Sequence, residues 1–110
     1  MNIPISNEMR LQKIVEEFSH KRSLWETRAE FYHVTDALGS ADAYCRVLSM
    51  IFNLMKEDKT PQQITHEVIQ FAKIQQENQP LNQSRYDEAM FNAYSSILHR
   101  VENQLWISEP

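Results

Sequence analysis

Two E-x-x-H pairs stand out in this 110-residue chain: Glu17 with His20, and Glu30 with His33. In helical bundles that hold two metal ions, such a pair on each of two helices joins a Glu from each of the other two, all projecting inward. The chemistry on offer is therefore the binding of iron, manganese or zinc. Position argues against it. On a helical projection His20 falls nearly opposite the apolar row of Leu11 and Phe18. Glu30 and His33 fall far from the row of Leu24, Phe31 and Leu38. Side chains placed this way read as solvated, so no metal is expected. A helical metal-binding protein or enzyme using Glu17, His20, Glu30 and His33 stands as the alternative reading.

Other reactive residues offer less. Cys45 is the only cysteine, which excludes an intrachain disulfide and any Cys-rich zinc site. It sits in the middle of an apolar segment with no nearby His and no helix N-terminus to lower its pKa, and it reads as buried and inert. His66 and His99 fall on polar faces, and His99 with Glu102 reads as a surface pair. Glu26 and Glu30, together with Arg22 and Arg28, read as a solvated ion-pair face. No nucleophile-elbow signature occurs, and a single Gly leaves no Gly-rich phosphate loop. No catalytic residue and no cofactor are assigned, and the chain is read as a non-enzyme.

The elements that carry these residues are helical. A shortage of Gly argues against the many tight turns of a sandwich or barrel. Ser6 or Asn7 can cap a first helix, 7–20, with Leu11, Ile14, Val15 and Phe18 on one face. Ser23 and Glu26 have capping-box spacing and suggest a second, 24–38, with Leu24, Trp25, Phe31, Tyr32 and Leu38 inward. On one straight helix this second apolar row would lie about 100° round from the first. That offset and the Ser23 cap predict a break near residues 20–23; one continuous helix is the alternative. Gly39 then serves as a C-terminal cap and Ser40 starts a third helix, 41–58. Thr60-Pro61-Gln62-Gln63 opens a fourth, 61–78. A polar connector containing Pro80 leads to Ser84, which caps the fifth, 84–105, with Tyr86, Met90, Ala93, Tyr94, Ile97, Val101 and Leu105 inward. The expected fold is a single all-α domain over 1–110, a compact up-and-down bundle of four to five helices.

A net charge of -4 disfavours a nucleic-acid partner. No secretory signal pattern and no apolar run long enough to span a membrane occur, so a cytoplasmic protein without a membrane partner is expected. The segment 41–58 is unusual. Its apolar residues wrap well over half the circumference, leaving Asp42, Arg46, Ser49 and Asn53 as a narrow polar strip. Such a helix is either central in the bundle or has a second apolar face for another chain. On the second view Val47, Met50 and Leu54 bind a partner. Trp106, off the main stripe of its helix, is a further candidate anchor. The functional expectation is a small interaction module: an adaptor, inhibitor or regulatory subunit acting by apolar helix-face contact with another protein or a second copy.

Overall fold

The computed structural model describes residues 5–32, 35–79 and 84–108. They form four α-helices and no strand: α1 (Asn7–Tyr32), α2 (Thr35–Lys56), α3 (Pro61–Glu77) and α4 (Arg85–Glu102). Local chemistry explains most of the helix starts. The Ser6 hydroxyl accepts the Met9 N–H at 3.2 Å at the head of α1. At α3 the Thr60 hydroxyl accepts the Gln63 N–H while the Gln63 side chain accepts the Thr60 N–H, and Pro61 occupies the first turn. Ser84 and Asp87 form the same reciprocal pair at α4.

The break expected near residues 20–23 does not form. No Gly or Pro lies between Asn7 and Tyr32, so nothing interrupts the i→i−4 hydrogen bonds, and the exposed Ser23 is an interior helix residue. Gly39 and Ser40 are likewise inside α2 rather than at a helix end. A Cβ built on Gly39 would lie 2.2 Å from the Tyr86 carbonyl oxygen and 3.2 Å from the Met90 nitrogen. Gly39 is thus where α2 and α4 approach backbone to backbone. Ser40 supports the crossing by donating its hydroxyl to the Ala89 carbonyl at 3.3 Å. His33 and Val34, and residues 80–83 with the Pro80 expected in a connector, lie outside the described residues.

Helix α2 is central. It packs most extensively on α4 and α1 and also meets α3. The core joins Leu11, Ile14, Val15 and Phe18 of α1 to Tyr44, Val47, Leu48 and Ile51 of α2, Ile64 and Val68 of α3, and Tyr94, Ile97 and Val101 of α4. Beside it, the Tyr86 hydroxyl donates to the Asp42 carboxylate, linking α4 to α2. That bond, followed by burial, pushes the Tyr86 phenol up to about 12. A raised phenol pKa contributes stability in full below the unfolded value of about 10 and loses it as pH rises toward 12. In urea unfolding, the stability gap between the parent and Tyr86→Phe should therefore be open at neutral pH and close across that alkaline window.

Helix α4 ends at Glu102, and Leu105, expected inward, is 78% exposed. The chain beyond α4 returns to the start of α1. The fully buried Asn7 donates through Nδ2 to the Ile107 carbonyl and accepts the Ile107 N–H at Oδ1, both at 2.9 Å. Arg10 donates to the Leu105 carbonyl at 3.1 Å. Trp106 packs partly buried against the core under this clamp. Replacing Asn7 with Ala should cost about 2 kcal/mol, because it strands both Ile107 backbone groups. Urea unfolding gives the loss, and hydrogen exchange at the Ile107 amide should accelerate with it.

Candidate functional site

The unbroken α1 carries two apolar rows on two faces. The first, Leu11 to Phe18, is buried in the core. The second, about 100° away, has no such cover. Leu24 is exposed, Trp25 is partly buried, and Phe31 and Tyr32 are 72% and 73% exposed. These four, with Leu38, were expected to point inward. Trp25 alone packs against the core; Leu24, Phe31 and Tyr32 stay exposed because α1 continues unbroken past Phe18 and only one of its faces meets the bundle, and Leu38, on α2, is 45% exposed. The overall dimensions agree: a radius of gyration of 15.2 Å exceeds the roughly 13 Å of a compact domain of this length.

Between this second face and α4 lies a groove of about 640 Å³. One wall is a helical row on α1: Glu17, Lys21, Trp25, Arg28 and Tyr32. The opposite wall is Ala89, Asn92, Ala93, Ser96 and Arg100 of α4. The first turns of α2 form the floor, through Ala37, Ser40 and Tyr44. Phe18 and Tyr44 meet edge to face there, ring centres 5.5 Å apart. Burial pushes the Tyr44 phenol up, opposed by a hydrogen bond with Ser96. The Arg28 guanidinium lies 4.8 Å from the centre of the Trp25 ring. Arg100, on the α4 wall, reaches across to α1 and donates to both Glu17 carboxylate oxygens, at 2.6 and 3.4 Å. The result is an apolar, aromatic trough with cationic edges, in the size range of a ligand or helix site.

The residues assigned to partner binding from sequence do not gather here. Val47 is 0% exposed and belongs to the core, because α2 is surrounded by three helices. It is not a surface contact. Met50 and Leu54 are partly buried and line a shallower groove of about 500 Å³ with Cys45, Arg46, Ser49, Asn53 and Phe71. Trp106 lies elsewhere, beneath the C-terminal clamp. Cys45 is exposed, not buried as its neighbours suggested.

The E-x-x-H residues fare no better as a constellation. Glu17, His20 and Glu30 are all on α1, so the pairs do not face each other from two helices. His20 and Glu30 are separated by about 15 Å along the axis. His20 and Glu30 are exposed, Glu17 is bonded to Arg100, and His33 lies outside the described residues. Among the described residues no group of three or more His, Cys, Asp or Glu is placed to hold a metal ion. Glu102 reaches Lys73 at 4.0 Å rather than His99, which contacts Asn103. Arg22 and Glu26 do form the expected surface ion pair, at 3.7 Å.

Sequence reasoning missed Lys21, Arg28, Tyr44, Ser96 and Arg100 as neighbours. One signal for the groove was present: two apolar rows about 100° apart on a stretch with no helix breaker. Among the described residues no helix is long and apolar enough to cross a membrane. No family model, no curated protein and no solved structure matches the chain.

Proposed function

We propose that this protein is an interaction module, an adaptor, inhibitor or regulatory subunit, whose docking surface is the groove between α1 and α4. One observation carries the reading: α1 has a second apolar row that the bundle does not bury, and its Trp25 and Tyr32 line a trough already walled on both sides. Covering Trp25 and Tyr32, the members of that row that line the trough, would remove from water apolar area that the fold itself leaves exposed. The small side chains of Ala89, Ala93 and Ser96 on the α4 wall leave room for a partner's anchors. The shallower α2–α3 groove, with Met50 and Leu54, is the secondary surface.

A photo-reactive phenylalanine analogue placed at the exposed Asn92 position on the groove wall tests this in the native host. It should give a discrete adduct with one partner, while the same group at Gln63, on the far helix, gives none. Ser96→Trp, an exposed position on the groove wall, should fill the trough and abolish the adduct without changing the helical circular dichroism. Identical adducts from both positions, or an adduct indifferent to Ser96→Trp, would reject the groove as the docking surface.

A further inference from the structure

We infer that the occupant of the groove is an amphipathic helix of a partner protein with acidic residues flanking its apolar face. This rests on the reading of the groove as a docking surface and adds the chemistry of what docks.

The shape argues for a helix. The α1 wall from Glu17 to Tyr32 runs about 22 Å, or four helical turns. On the opposite wall Ala89 and Ala93, one turn apart, present no more than a methyl group. A helix can therefore approach α4 closely while its larger side chains reach the aromatic floor. An extended strand has no unpaired sheet edge to join here, since every described element is helical.

The charge argues for acidity. The chain as a whole is at -4, yet the groove is lined by three cations and two carboxylates. Of those carboxylates Glu17 is held by Arg100, which leaves Lys21 and Arg28 against the single Asp36 in the first turn of α2. Lys21 and Arg28 are exposed and two helical turns apart on the groove face. Neither forms an ion pair among the described residues. Acidic residues two turns apart on a docked helix would meet both.

The same two cations disfavour a second copy. Antiparallel pairing of two α1 helices about a two-fold axis midway between Lys21 and Arg28 sets each Lys21 against the other copy's Arg28. Like charges would then face each other at the centre of the contact. An anionic bilayer is also a poor match. The site is concave where a bilayer is flat, and a net-negative protein stands behind it.

The test uses the intact protein and fluorescent peptides of about 18 residues, long enough to fill the groove as a helix. All share one Leu-rich face, and their flanking positions are Glu, Gln or Lys. By fluorescence anisotropy the Glu peptide should bind about ten-fold more tightly than the Lys peptide, with the gap narrowing as salt rises. Lys21→Glu combined with Arg28→Glu, both at exposed positions, should reverse the order. Equal binding of all three peptides, blocked by Ser96→Trp, would overturn the acidic assignment and leave the groove standing. Failure of every peptide to bind would overturn both. Binding to phosphatidylserine vesicles in place of the peptides would overturn the proposal in favour of a membrane. So would a dimer in sedimentation equilibrium that excludes them, in favour of self-association.

Discussion

Val47→Glu is expected to unfold the protein, while Leu54→Glu leaves it folded. The two positions lie two turns apart on α2 and look equivalent on a helical projection. Val47 is at 0% exposure against Leu48, Ile51 and the buried faces of the neighbouring helices. A carboxylate there has no partner and no water, and the cost is about 4 kcal/mol or more. That is a large share of the roughly 5–15 kcal/mol that holds a typical domain together. Leu54 is only partly buried at the edge of the α2–α3 groove, and its replacement can turn toward solvent at a cost of about 1 kcal/mol. Circular dichroism and thermal melts separate the outcomes. A folded Val47→Glu with an unchanged melting temperature would mean that α2 is not the central helix.

Gly39→Ala is the second variant with a large effect, and it reverses the usual rule. In an exposed helix interior this change gains about 1 kcal/mol of helix propensity. Here the added methyl would sit 2.2 Å from the Tyr86 carbonyl oxygen, with the Tyr86 carbon and Met90 nitrogen close behind at 3.1 and 3.2 Å. All three are backbone atoms, so no rotamer change relieves the clash. The two helices must separate, loosening the Ser40–Ala89 hydrogen bond and the packing around it. Overpacking of about 3 kcal/mol against that gain leaves a net loss of about 2 kcal/mol, or a melting temperature lower by about 10 °C. An equal or higher melting temperature would show that α2 and α4 do not cross closely at residue 39.

These two variants also show where reading along the chain stops working. The starts of α3 and α4 were legible because their hydrogen bonds close within three residues, Thr60 with Gln63 and Ser84 with Asp87. The first apolar row of α1 was legible because Leu11, Ile14, Val15 and Phe18 repeat with the helical period and all are buried. Ser23 and Gly39 misled for a shared reason. A capping-box spacing or a lone Gly is only a permission to end a helix, and neither compels it. At Ser23 the uninterrupted backbone ladder prevailed. At Gly39 the missing side chain serves a contact with Tyr86, 47 positions along the chain. Cys45 was misplaced because an apolar neighbourhood in sequence says nothing of which side of α2 the other three helices occupy. The groove was legible only as a discrepancy, two apolar rows on one helix, and its cationic edge was not legible at all.

The amino-acid sequence by itself determined the helical class, the caps of α3 and α4, and the membership of much of the core. Each of these depends on periodicity or on bonds between residues a few positions apart. Only the tertiary structure decided that α2 is the central helix, that Gly39 is a crossing point, and that Lys21, Trp25 and Arg28 look across a trough at Ala93 and Arg100. Those relations depend on which faces meet, and helix faces are chosen by the packing of the whole chain at once.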